Sequence, residues 1–389
     1  MRKARWVAGL CLALIAAVAL AACGGKSSSG GGGSSTSGAD KGPITIGVTS
    51  EKTGPAPILG NESIGIAKAA QYINQHGGIM GRQVKLVIHD NAGDPSKAVS
   101  DVRTFASQGI KVMLGGAFGP DCAAEAPATA SAQIVDFCGS TDDLPQPDTH
   151  MFGVGLGYTP TIVATTKLIQ QYAPKKAAVF ADKDKSGDDS AHIGPADLKK
   201  LGVTPVLIRT DPTAASFKPA IQQAMSKGVQ AMWFTECTPA AISAVGEAEQ
   251  LGFKGKLMLE NCLASLDVAK AVKGLAGDKQ VLVQSPELLL PGTSANADRA
   301  KAIALYKQVV GKPDTVIGAG WDSMWMAKAA IEKAGSLDTD KLVQTLENNF
   351  TFTGVWHGGT MTAQDHRGAQ PEGYVVPTYF TKQGTIARL

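Results

Sequence analysis

Glu260 closes an apolar run, Leu257-Met258-Leu259, and Glu236 lies two residues past Phe234 at the end of another. A carboxylate so placed is costly to bury unless a partner meets it, and an internal ion pair with Lys or Arg is one way to do so. Two further segments have the look of strand-to-helix turns, Phe118-Gly119-Pro120-Asp121 and Cys138-Gly139-Ser140-Thr141-Asp142. In open parallel sheets, ligands bind beyond the carboxyl ends of the strands. Helix N-termini there offer N–H groups and the positive end of a dipole, which suits a carboxylate. The simpler reading of both turns is that they only cap helices. Catalysis finds less support. The six histidines, His76, His89, His150, His192, His357 and His366, are scattered, and neither H-E-x-x-H nor G-x-S-x-G occurs. His89-Asp90 ends a strand and reads as surface or capping. The glycines of Gly153–Gly157 lack the last glycine of a dinucleotide fingerprint and are followed by Pro160, so they read as a crossover. No cofactor is expected.

The elements that would position these residues alternate. Strands are expected at Ile44–Ser50, Val84–Asp90, Val112–Gly115 and Ile134–Phe137. Helices are expected at Ser63–His76, from Asp94-Pro95 to about Gln108, and at Asp121–Ala132. A second set of strands follows at Lys176–Asp182, Pro205–Arg209, Ala231–Thr235, Lys256–Glu260 and Val281–Gln284, with helices near Phe217–Lys227 and Pro239–Leu251. Pro286–Gly292 reads as a return crossing. Helices at Asn296–Val310, Trp321–Ala334 and Thr339–Asn348 and a strand at Tyr374–Phe380 complete the pattern. Strand–helix alternation of this kind gives doubly wound parallel sheets, here in two α/β lobes with a cleft between them.

Four cysteines fall in this body: Cys122, Cys138, Cys237 and Cys262. Three pairings are open to them. Cys122 and Cys138 follow consecutive strands, as do Cys237 and Cys262, and consecutive strands usually lie side by side. The expected bonds are therefore Cys122–Cys138 and Cys237–Cys262, each stabilising by about 3 kcal/mol through loop closure. A metal site is the rival use, but no C-x-x-C spacing supports it, and no metal is expected.

The chain begins with Arg2, Lys3 and Arg5, an apolar stretch from Trp6 to Ala19, and Leu20-Ala21-Ala22-Cys23. This is the layout of a secretory leader. Its last four residues resemble a bacterial lipobox, at which Cys23 would carry lipid; an ordinary cleaved leader is the alternative. Gly24–Gly38 is almost wholly Gly and Ser and behaves as a tether with a reach of roughly 20–25 Å. Of 389 residues, removing a 22-residue leader leaves 367, enough for two lobes with real cores. The leader also holds 3 of the 37 Lys and Arg, so 34 remain against 34 Asp and Glu. That balance gives no footprint for nucleic acid. An oxidising, extracytoplasmic setting at a membrane surface is expected, with the membrane reached through the Cys23 lipid.

One stretch carries a family resemblance. Thr53-Gly54-Pro55-Ala56-Pro57-Ile58-Leu59-Gly60 precedes a helix ending Ile73-Asn74-Gln75-His76-Gly77-Gly78-Ile79-Met80-Gly81-Arg82, and Asp94-Pro95-Ser96-Lys97-Ala98 follows the next strand. With Trp321-Asp322 and Glu332-Lys333-Ala334-Gly335, this resembles the leucine/isoleucine/valine-binding family of ABC-transporter substrate-binding proteins. The resemblance implies a type I periplasmic-binding-protein fold, its two lobes joined by a three-strand hinge. The lobes would be 44–158 with 290–358 and 159–289 with 359–389, after a leader at 1–22 and a tether at 23–43. It implies a monomeric receptor that closes on a small molecule, an amino acid, amide or similar compound, for ABC permease and ATPase subunits. A ligand sensor with a signalling partner, or a hydrolase on the same scaffold, are the alternatives. By the same resemblance Gly119, Ser140, Thr141 and Asp142 would meet a ligand carboxylate, and Glu260, with Glu236 beside it, a ligand ammonium. Other departures and matches bear on the same site. Ser186 stands where many relatives have an aromatic, and Cys237-Thr238 replaces an aromatic pair. Leu59 stands where some relatives carry tryptophan, and Trp321 keeps an aromatic that could pack on the ligand or stay in the core. Phe118 belongs to the first turn, and Asp121 and Asp142 add carboxylates there. These departures leave room for a ligand more polar or cationic than a simple branched-chain amino acid.

Overall fold

The computed structural model describes residues 42–140, 142, 150–155, 157–275, 279–292, 294, 296–368 and 374–389. The expected leader and tether, Cys23 as the expected lipid site, and Thr141 lie outside them. The first sheet is all parallel, with β1 (Ile44–Ser50), β2 (Val84–Asp90), β3 (Val112–Gly115), β4 (Val135–Cys138) and β5 (Met151–Gly153) in the order β2-β1-β3-β4-β5. Helices α1 (Glu62–Gln75), α2 (Pro95–Ser107) and α3 (Gly119–Ala132) connect its strands. β3 and β4 are buried along their whole length, as central strands covered on both faces must be. Asp94 starts α2 by accepting the Ser96 N–H at 2.9 Å, with Pro95 in the first turn.

The chain then enters the second lobe through α4 (Tyr158–Gln170). There follow β6 (Lys176–Asp182), α5 (Lys185–Lys200), β7 (Thr204–Thr210), α6 (Lys218–Ser226), β8 (Ala231–Phe234), α7 (Pro239–Gln250), β9 (Lys256–Leu259), α8 (Leu266–Ala271) and β10 (Val281–Pro286). It returns to the first lobe for α9 (Ala297–Val310), α10 (Thr315–Ala334), α11 (Thr339–Glu347) and the antiparallel hairpin of β11 (Phe350–Thr353) with β12 (Gly358–Met361). Finally β13 (Val375–Phe380) and β14 (Ile386–Arg388) extend the second sheet, whose order is β14-β13-β10-β9-β8-β6-β7. The chain thus passes between lobes after β5, after β10 and before β13.

Several elements differ from the sequence reading, each for a local reason. α5 contains Gly194 and Pro195, which mask it as a loop; Asp184 nonetheless caps it by accepting the Gly187 N–H at 2.8 Å. α10 starts six residues before Trp321, because Asp314 accepts both the Val316 and Ile317 N–H groups at 3.0 Å. The expected lobe divide at 358/359 runs through the β11–β12 hairpin. Phe350 pairs with Met361, and both lie in the core shared by β1, β3, α1 and α10. The hairpin therefore groups with the first lobe as one piece.

Two close contacts hold the first lobe together. A Cβ at Gly65 would lie 2.0 Å from the Ile317 carbonyl, and one at Gly320 would lie 2.0 Å from the Glu62 carbonyl, so α1 and α10 touch backbone to backbone. Cys122 is bonded to Cys138 and Cys237 to Cys262, with Cα separations of 6.1 and 5.9 Å. The first bond ties the start of α3 to the end of β4. The second ties the loop after β8 to the loop after β9.

The hairpin is itself tied to α10 by one carboxylate. Asp322 accepts the N–H groups of Val355, Trp356 and His357 at 3.0, 2.7 and 2.8 Å. An unpaired buried N–H costs roughly 1–3 kcal/mol. Asp322→Ala leaves three of them, so denaturant titration should show a loss of about 3 kcal/mol or more. A loss below about 1 kcal/mol would mean the turn finds other acceptors.

Candidate functional site

A cavity of about 60 Å³ lies between the lobes at the carboxyl ends of their parallel strands. Nine of the residues singled out from the sequence line it: Leu59, Phe118, Gly119, Ser140, Asp142, Ser186, Glu236, Thr238 and Glu260. Two do not. Asp121 is buried in the first turn of α3, behind the wall, where burial and the charge of Glu51 push it up to about 8. Trp321 packs in the first core against Tyr72, Tyr306 and Trp325, with ring centroids 6.5, 5.6 and 5.9 Å apart. It is 2% exposed, and the glycine contact between α1 and α10 fixes the helix so that it faces these rings.

The first-lobe wall is set by β1. Thr49 Oγ1 accepts the Gly116 N–H at 3.1 Å, and Glu51 Oε1 accepts the Phe118 N–H at 3.3 Å. Gly116 is required, because a Cβ there would sit 1.9 Å from Glu51 Oε1. This loop delivers Phe118 and Gly119 to the start of α3, which has no side-chain cap. The neighbouring turn is gripped from far along the chain. Arg367 donates to the carbonyls of Ser140 at 2.9 Å and Asp142 at 2.7 Å. The Ser140 hydroxyl oxygen accepts the Asp142 N–H at 3.1 Å, which leaves its own proton to donate.

The second-lobe wall is acidic. Glu260 Oε1 accepts the Asn261 N–H at 3.1 Å and Oε2 accepts Trp233 Nε1–H at 3.3 Å. Among the described residues no Lys or Arg pairs with it. Burial therefore pushes it up to about 7. Thr210 Oγ1 lies 2.6 Å from Glu236 Oε1 and 3.1 Å from Asp182 Oδ1. Burial, and then the charge of Asp182, hold Glu236 well above the carboxylate range; burial with the charge of Asp184 lifts Asp182 to about 7. Asp184 is also raised, by burial. Asp182, Asp184 and Thr235 line the cavity and were not anticipated. The two aspartates follow the end of β6 as Glu236 and Glu260 follow their strands, a signal present in the sequence. Arg367 had no local signal.

One bond spans the cleft. Ser186 Oγ, in α5 of the second lobe, donates to Asp142 Oδ2 of the first at 2.6 Å. Burial raises Asp142 to about 6. Apolar groups cross too: Ala56, Leu59 and Val316 pack into the second lobe's core. Among the described residues, no group of three or more His, Cys, Asp or Glu is placed to hold a metal ion.

Comparison with known proteins agrees with this geometry. A family model described as periplasmic binding protein matches residues 43–379. A Pseudomonas aeruginosa protein named amino acid binding protein is 24% identical over 318 residues, covering 79% of this chain and 83% of its own. A second from that species, named leucine-, isoleucine-, valine-, threonine-, and alanine-binding protein, is 24% identical over 79% of this chain and 82% of its own. Among solved structures, an extracellular ligand-binding receptor from Rhodopseudomonas palustris superposes with a TM-score of 0.78 at 19% identity, covering 89% of this chain and 99% of that one.

The raised carboxyls give a pH test. Their folded values lie above the 3.8 and 4.5 of ordinary Asp and Glu. Between about pH 4 and pH 7 the folded chain thus holds more protons than the unfolded chain. This contribution is full near pH 4 and is lost as pH rises through the folded values near 6 and 7. The thermal midpoint without added solute should therefore fall as pH rises across that interval. A midpoint that climbs instead would mean these groups are ionised and paired.

Proposed function

Because the chain belongs to the periplasmic binding protein family, we propose that it is an extracytoplasmic solute receptor that closes its lobes on a small molecule and delivers it to an ABC importer. The observation that carries this reading is the enclosed cavity at the strand ends of both lobes, crossed by the Ser186–Asp142 bond. A receptor needs two states, and a ligand that touches both walls favours the closed one. The solute bears an ammonium group and is an amino acid or related compound, with Glu260 as its acceptor. This agrees with the unpaired acid at the end of β9 and with what the two Pseudomonas relatives are named for. The lobes act without catalysis, as a monomer serving permease and ATPase subunits. Cys23 carries the lipid that keeps the receptor at the membrane. Among the described residues no helix is long and apolar enough to cross a membrane.

Thermal shift against amino acids, amides, ureas, amines, sugars and fatty acids tests the receptor reading. A true ligand at 100 times its dissociation constant adds about 2.7 kcal/mol of stability. Glu260→Ala should abolish the shift from an ammonium-bearing hit. A hit that survives this substitution removes the role of Glu260, and no hit in any class removes the receptor reading.

Lipid anchoring is tested separately. Cys23→Ser should move the protein from the membrane fraction to the soluble fraction or medium. Retention in the membrane fraction would overturn the anchor.

A further inference from the structure

The start of α3 is where the family resemblance would place a ligand carboxylate, and no side chain caps it. The Asp121 and Cys122 N–H groups donate to the Phe118 carbonyl at 3.1 and 3.2 Å, and Pro120 has no N–H, so the Gly119 corner is the part of this turn left to a ligand. That place is already filled. A Cβ built on Gly119 would lie 1.6 Å from Asp142 Oδ2 and 2.8 Å from Ser186 Oγ. The protein's own carboxylate therefore stands at the helix end, and Ser186 holds it there from the other lobe at 2.6 Å. A second carboxylate entering the same corner would meet like charge at contact distance in a dry site.

The rest of the lining points the same way. Asp142, Asp182, Asp184, Glu236 and Glu260 face one cavity, and among the described residues its lining contains no Lys, Arg or His. The cations beside the lining are engaged elsewhere: Arg367 on the Ser140 and Asp142 carbonyls, Arg209 on Asp188 and the Asp182 carbonyl, and Lys185 on Asp189. Thr210 has one hydroxyl proton for two acids, Glu236 at 2.6 Å and Asp182 at 3.1 Å. That hydroxyl can donate fully to only one of them at a time, so the other acid is left to find another donor or a cation. Glu236 Oε2 is buried without a hydrogen-bond partner, in a residue 3% exposed that lines the cavity. It is an acceptor for which the described residues supply no donor.

We propose that the ligand is a small organic cation, an amine or guanidine without a carboxylate, because Asp142 occupies the place a ligand carboxylate would take. This rests on the receptor reading above and narrows it. The cavity of about 60 Å³, at roughly 10–15 Å³ per water-sized group, has room for about four to six such groups. A smaller, mostly apolar cavity of about 40 Å³ shares Leu59, Ala117 and Cys237 with it and suits the carbon tail of such a cation.

The test is calorimetry on the purified full-length chain with pairs that differ only in the carboxylate: leucine and isoamylamine, lysine and cadaverine, arginine and agmatine. At least one decarboxylated member should bind about tenfold or more tighter than its parent amino acid. Asp142→Asn, checked for folding by its thermal midpoint, should reduce that preference. Should this variant fail to fold, the wild-type pairs decide the matter alone. Parent amino acids that bind as tightly as their amines in every pair overturn the proposal, as does an undiminished preference in folded Asp142→Asn. If no pair binds but a sugar, amide or fatty acid raises the melting temperature, the cation assignment falls and the receptor reading stands. If nothing raises it, both fall.

Discussion

A buried carboxylate must be neutralised or paired, and the site of this protein is organised around that constraint. Five acids share the cavity wall, and burial is the first cause of the upward shift in each. The hydrogen bonds present, from Trp233, Asn261, Thr210 and Ser186, meet only part of the demand. The same situation continues behind the first-lobe wall. Glu51, Glu62, Asp121, Glu125 and Asp136 are buried there, and burial raises all five. Such an interior costs stability in the empty state, and a charged ligand or a bound proton offsets that cost. Sites that hold groups with strongly shifted affinities for protons are where function tends to lie.

Closure depends on small residues as much as on charged ones. Gly119 leaves room for Asp142 and Ser186 to meet, Gly116 leaves room for Glu51, and Gly139 would place a Cβ 2.1 Å from Glu62 Oε1. Any side chain at these positions would push a wall outward. The polar bond between Asp142 and Ser186 and the packing of Leu59 into the second core lie on the same cleft. The first supplies direction and the second supplies apolar burial, so the two lobes meet in one arrangement.

The supports of the site are of two kinds. Near supports come from the strand that precedes each loop, as Thr49 and Glu51 hold the Gly116–Gly119 loop from β1. Distant supports come from the returning chain. Arg367 grips the Ser140–Asp142 turn from more than two hundred residues away, and Asp322 fixes the hairpin that precedes it. The two disulfides brace the loops after β4 and β8 on which cavity residues sit.

Residues with a strong local signature were legible in the sequence. Apolar runs gave β1 to β4 and β6 to β10 their identity, and an acid or a strand-to-helix turn just past such a run marked Gly119, Ser140, Glu236 and Glu260. Consecutive strands do lie side by side where the cysteines sit, β3 beside β4 and β8 beside β9, which is why those cysteines face each other; that β1 lies between β2 and β3, and β6 between β7 and β8, was not read from the sequence. Trp321 was ambiguous for a physical reason: an aromatic on α10 can face a cleft or a core, and only the glycine contact between α1 and α10 sets the rotation of the helix. The β11–β12 hairpin, Arg367 and the meeting of Asp142 with Ser186 required the fold itself. Each joins segments far apart in the chain, and no local propensity records such a distance. The sequence by itself determined most of the parallel strands and several of their helices, and that acids end several strands. Tertiary structure alone decided that five of these acids share one cavity and that one of them stands at the helix end, because burial and mutual distance exist only once the lobes have packed.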